Sequence, residues 1–198
     1  IVERLGVAKS SVSIWVRNVE LDKNARKRLA NKITLGRIIA AEVKRNHTKE
    51  KLDGYRKEMG SEMANLSLGK LLGKIICSLV YWCEGAKDPI SGVSFINSDP
   101  KLISTFLYFF RKSFILDESK FRVCVHLHKY HNINEQIAFW SKITGIPKKQ
   151  FIKPFQKQNT GKRIRKNYPG CAAIRYHSND IARQLLTTAE VFLTKFKA

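Results

Sequence analysis

The chain has 198 residues, 43% of them hydrophobic, enough for one good core and a small appendage. Its 37 Lys and Arg against 16 Asp and Glu give a formal net charge of +21 at pH 7, a field that captures polyanions and exceeds what solubility requires. No apolar run long enough for a membrane span, no strongly amphipathic basic helix and no lipidation motif is present, so nucleic acid is the expected partner and a membrane is not.

Residues 1–19, IVERLGVAKSSVSIWVRNV, open the chain. Ile1 and Leu5 lie four apart on one helical face, Gly6 follows where a tight turn needs a residue tolerant of positive φ, and Val12 and Trp15 are predicted as the buried stripe of a second helix. Lys9, Ser10, Ser11, Ser13 and Arg17 fall on the opposite face, small polar and basic side chains suited to phosphate and base-edge contacts in a major groove. The first helix of such a motif is missing, so the sequence is expected to be a fragment that lacks about 20 residues.

Residues 21–63 are rich in Lys, Arg and Ala and are predicted as one or two exposed helices, broken near Gly36 or Gly54, that either stay solvated or lie along a phosphate backbone. From residue 64 the composition turns apolar. Residues 66–85 predict a helix buried on most sides. SGVSFINSDP reads as a strand ending in a helix cap at Ser98 or Asp99, with Pro100 in the first turn of a helix over residues 101–114. FRVCVHLHK alternates with period two, Val123, Val125 and Leu127 on one face and Arg122, Cys124, His126 and His128 on the other. A helix over residues 132–143, strands in QFIKPFQK and CAAIRYH, and a last helix capped by Asn179 complete an α, β, α, β, α, β, β, α order. That order predicts an α+β domain with a mixed or antiparallel sheet and helices on one face.

Residues 136–179 contain no Asp or Glu, yet hold Lys153, Lys157, Lys162, Arg163, Arg165, Lys166 and Arg175. A solvated face mixes signs, so this run implies a polyanion partner, with Lys153, Lys157 and Arg175 lining a sheet face laid in a groove and QNTGKRIRKNYPG ordering on phosphate. Phe151 and Phe155 are read as core residues. In HLHKYH, His126, His128 and His131 have a spacing that can ligate zinc, but no acid or cysteine follows at ligand distance, and exposure or phosphate contact is the expectation. Cys77, Cys83, Cys124 and Cys171 form no CxxC pair; with no signal peptide expected, they are read as buried thiols in a reducing, cytoplasmic compartment.

Two resemblances sharpen these expectations. LGVAKSSVSIWV resembles the DNA-binding helix-turn-helix of resolvases and sigma-factor-type regulators, and CSLVYWCEG resembles the LAGLIDADG motif of homing endonucleases and of the WhiA-type regulators descended from them, with YWCEGAKD, VSFINSDPKLISTFLYFF and FWSKITGIP following the half-domain. The resemblance implies a truncated helix-turn-helix over residues 1–20, a basic helical linker over 21–63 and a LAGLIDADG-like domain over 64–198. It places Glu84 where the nucleases hold their catalytic, metal-binding carboxylate and Gly85 as the closing glycine. Leu79 stands where the family has glycine and Trp82 where it has the first aspartate, and the hairpin after the motif is shortened. The function implied is sequence-specific binding of double-stranded DNA by a homodimeric, nucleoid-associated transcriptional regulator without a cofactor. The alternative is a homodimeric endonuclease in which Glu84 holds Mg²⁺.

Overall fold

The computed structural model describes residues 1–157 and 168–197. The chain divides into two compact units, Ile1–Leu66 and Ser67–Ala198. No described helix is long and apolar enough to cross a membrane.

The first unit is helical. Helices α1, Val2–Leu5, and α2, Lys9–Trp15, are separated by a turn in which Gly6 takes φ 62° and donates its N–H to the carbonyl of Val2 at 3.0 Å. Left-handed backbone of this kind is where glycine avoids a Cβ clash. Neither helix buries a residue. Val12 is half-buried, but Trp15, expected in a buried stripe, is 60% exposed, because helices of four and seven residues present too little surface to enclose an indole. Helix α2 ends at Trp15, so Arg17 sits in the following turn and not on the helix face.

Helix α3, Lys23–Met63, is continuous for 41 residues, with Asp22 as its cap accepting from the Ala25 N–H at 2.6 Å. It runs unbroken through Gly36 and Gly54, contrary to the expected break. Once nucleated, a helix adds one hydrogen bond per residue, and an isolated glycine costing about 1 kcal/mol does not stop it. It too buries no residue.

The second unit is α+β. Its elements are α4, Lys70–Glu84; β1, Val93–Asn97; α5, Pro100–Ser113; β2, Phe121–His128; α6, Ile133–Thr144; β3, Phe155–Lys157; β4, Cys171–Tyr176; and α7, Asn179–Lys195. Asp99 caps α5 by accepting from Lys101 N–H at 2.8 Å, with Pro100 in its first turn. The cap of α7 is Ser178, whose hydroxyl accepts from Ile181 N–H at 3.3 Å; the expected cap, Asn179, is already helical.

The sheet is mixed, in the order β1-β4-β2-β3, with β2 and β3 parallel and the other pairs antiparallel. Register puts Phe95 beside Ile174 and Ile174 beside Val123. These residues, with Val93, Phe121, Val125, Leu127, Ala172 and Tyr176, form the inward face. They meet Tyr81 of α4, Phe106 and Phe110 of α5, Trp140 of α6 and Leu185 of α7 in one core. Phe106 stacks between Phe95, with ring centroids 4.2 Å apart, and Phe110, at 5.2 Å. Because side chains alternate along a strand, burying one face against four helices leaves the other face uncovered by them.

Candidate nucleic-acid interface

The open face of the sheet is set by the same register. It carries Arg122, Cys124, His126 and His128 of β2; Arg175 and Cys171 of β4, opposite Arg122 and His126; and Phe155 and Lys157 of β3, opposite His126 and His128. The four strands contain no Asp or Glu. Arg122 therefore faces Arg175 directly across an antiparallel pair, an arrangement of like charges that weakens a sheet unless an anion joins them. The ion pairs among the described residues, Arg56–Asp53 and Arg111–Glu118, lie elsewhere. The Arg122 guanidinium is held by the carbonyls of Ser119 and Phe121, both 2.7 Å from Nη1. His126 feels the resulting field: burial first, then the charges of Lys157 and Arg175, hold its imidazole below the ordinary value of 6.5.

The structure brings Lys157 and Arg175 together on this face, as expected, and adds Arg122. Lys153 is exposed but precedes β3, its carbonyl lying 3.5 Å from the Cys124 thiol. Lys162, Arg163, Arg165 and Lys166 lie outside the described residues. Lys9, Ser10 and Ser13 are exposed on α2 and Ser11 is half-buried, all in the first unit. Phe155 corrects the expectation of a core residue: it is 56% exposed beside the His126 ring, with centroids 5.2 Å apart, whereas Phe151 is half-buried against the core. The physical reason is register, since Phe155 aligns with the outward-facing His126. Arg122 was visible in the alternation of FRVCVHLHK, but its place opposite Arg175 depends on a pairing no local pattern reveals.

Glu84 is the last residue of α4 and is exposed, its Oε2 accepting from Asn97 Nδ2 at 3.2 Å. The neighbouring Lys87 does not neutralise it. Its Nζ donates to the Trp82 carbonyl and lies 5.0 Å above the Trp82 ring. Gly85 is required sterically: a Cβ there would stand 2.4 Å from the Tyr81 ring and 2.7 Å from the Tyr81 carbonyl. Tyr81 itself is fully buried, its hydroxyl accepting from Ser94 N–H at 3.3 Å, and burial raises its pKa. In place of the first strand of a hairpin, a single bridge joins Gly85 to Phe95.

Among the described residues no group of three His, Cys, Asp or Glu side chains could hold a metal ion. One carboxylate with one amide is too small a donor set for Mg²⁺ within a single chain. His131 is occupied at both nitrogens, Nδ1 at 2.9 Å from the His128 N–H and Nε2 at 2.8 Å from the Tyr168 carbonyl, which leaves no lone pair for zinc in the neutral ring. Of the four thiols, Cys77 and Cys124 are buried, Cys171 is half-buried on the open face, and Cys83, expected to be buried, is exposed because it lies at the outward end of α4. Burial pushes the Cys77 thiol up to about 12.

Comparison with protein-family models, with curated proteins and with solved structures finds no match.

Proposed function

We propose that the protein binds double-stranded DNA in a sequence-specific way and acts as a transcriptional regulator on the nucleoid, built from a helix-turn-helix, a basic helical linker and a LAGLIDADG-like domain. The observation that carries the reading is Arg122 opposite Arg175, with Lys157 on the same acid-free face. In a cleft or groove of phosphates these unneutralised cations release counterions and bind whatever the sequence. Sequence discrimination falls to α2, whose exposed Lys9, Ser10 and Ser13, with Ser11 and the nearby Arg17, offer hydroxyl and cationic hydrogen-bonding groups to base edges. Lys153 and the basic residues 162, 163, 165 and 166 add phosphate contacts.

The outward stripe of α4, Leu72, Ile75, Leu79 and Trp82, has helical spacing and is incompletely covered. A second copy of the chain is its proposed occupant, giving a two-fold dimer. The test is binding to genomic fragments by the wild type and by a Ser11→Ala, Arg17→Ala double variant. The variant should lose about 1 to 3 kcal/mol per base contact and relax site preference. Unchanged affinity and preference would overturn the assignment of α2.

A second reading, an Mg²⁺-dependent homing-type endonuclease, is favoured by one observation: Glu84 is exposed at its helix end and takes part in no ion pair among the described residues. It requires the two-fold dimer, since one chain supplies one carboxylate. Sedimentation together with plasmid nicking decides it. A dimer that does not cut is the regulator, and metal-dependent nicking lost in Glu84→Gln is the enzyme.

A further inference from the structure

The open face carries rings as well as charge. Phe155 is 56% exposed there, with its ring centroid 5.2 Å from His126. Two residues further along β2, roughly 7 Å on at strand spacing, His128 stacks on Tyr130 with centroids 5.3 Å apart and planes 11° from parallel. Tyr130, 37% exposed, also lies 4.3 Å from the His131 ring. Lys157 stands opposite His128 in register, Arg175 and Arg122 stand further along the same face, and Lys129 adjoins Tyr130. A single exposed Phe is ordinary; a row of flat rings between cations is not.

A paired duplex hides the faces of its bases inside the stack and offers a groove only their edges. Rings on a sheet face and on the turn that follows it gain little from such edges, but they cover the free π-faces of unpaired bases while neighbouring cations follow the backbone. We infer that the aromatic row Phe155–His126 and His128–Tyr130–His131 is a stacking platform for unpaired nucleotides. The inference rests on the open face being a nucleic-acid interface and deepens it: besides the duplex phosphates that its cations hold, the face takes an opened or single strand whose bases lie on the rings.

Next to the row lies an open cleft of about 650 Å³ lined by Tyr130, His131, Asn132, Glu135, Phe139 and Tyr168. Ligand pockets have this size. The Glu135 carboxylate, 3.1 Å from Asn132 Nδ2, is an acceptor for the exocyclic amine of a base turned into it. Among the described residues His128 Nδ1 is buried without a hydrogen-bond partner, so this ring meets a base through its face and not through that nitrogen.

The experiment measures binding of the full chain to labelled oligothymidylate, to oligouridylate and to a mixed-sequence duplex of equal length. Phe155→Ala and Tyr130→Ala should each weaken single-strand binding by roughly 5- to 150-fold, the range for losing one stacked base, and change duplex binding less than about twofold. Phe155→Tyr should retain affinity. Both positions are exposed, so unchanged thermal melting is the check on folding. Whichever strand shows the selective loss, DNA or RNA, names the ligand. If single-strand affinity is unchanged in both alanine variants, or falls no more than duplex affinity, the platform is overturned. An Arg122→Ala, Arg175→Ala double variant separates the two levels. If it weakens all probes while the ring variants do nothing, the basic interface stands and the platform falls; if it weakens none, both fall.

Discussion

Residues 1–66 bury no side chain, whereas residues 67–198 enclose a core that runs from Cys77 and Tyr81 on α4 to Ala182 and Leu185 on α7. The first unit is held by backbone hydrogen bonds and caps, each contributing little on its own. The second is held by burial of aromatic and branched side chains at about 25 cal/mol per Å² of apolar surface. Yet both carry cations without acids to match. Lys23, Arg26, Lys27, Arg28, Lys32 and Arg37 fill the first half of α3 with no acid among residues 23–41, at the helix end whose dipole already disfavours positive charge. The second half mixes signs, as in the Arg56–Asp53 pair at 2.6 Å. Stability and charge are thus separable in this chain: one unit places its cations on a cored sheet, the other on a helix that owes nothing to a core.

The sharpest way to break that contrast is to open the core. Phe106→Ala removes a ring stacked between Phe95 and Phe110, and should destabilise the second unit by about 3 to 5 kcal/mol in denaturant unfolding while the helical signal of the first unit persists. A fall of both signals together would mean that the units unfold as one.

Charge comes next. Replacing Arg122, Lys157 and Arg175 by alanine should flatten the slope of log K against log salt for duplex by roughly 0.9 for each phosphate that is no longer neutralised, without lowering the melting temperature. An unchanged slope would take the sheet face out of the interface.

Gly36→Ala, at a site where a Cβ meets nothing within 4 Å, should strengthen α3 by about 1 kcal/mol, read as increased helicity with no change in core stability. No gain would show that α3 is held by something other than its own helix energy.

The smallest effect is the pH response of His126. Its folded pKa is depressed, so the unfolded chain binds the proton more readily. The associated stability is present above the ordinary value of 6.5 and is lost as pH falls through the lower folded value. A titration by NMR should find that value below 6.5, and Lys157→Ala with Arg175→Ala should move it back up. No movement would leave burial as the whole cause.

Much of the second unit was legible from local pattern. The alternation of FRVCVHLHK placed Val123, Val125 and Leu127 inside and Arg122, His126 and His128 outside, because a strand has a period of two whatever its neighbours. The apolar run ending in Glu84 and Gly85 predicted α4, and Asp99 with Pro100 predicted the start of α5, because caps are chosen by adjacent backbone groups. The first unit was harder. Trp15 looked like a core residue only on the assumption of something to pack against, and Gly36 looked like a break only if its cost outweighed the cooperativity of a 41-residue helix.

The candidate site divides the same way. Composition alone determined that the chain is strongly basic and that Lys157 and Arg175 lie in an acid-free stretch, because charge is a property of residue type. Only the tertiary structure decided that Arg175 faces Arg122, fifty-three positions away, and that Phe155 turns outward beside His126. Strand partners are selected by the global burial of one sheet face. A one-residue shift in register would have sent Phe155 to the core side and the arginines apart.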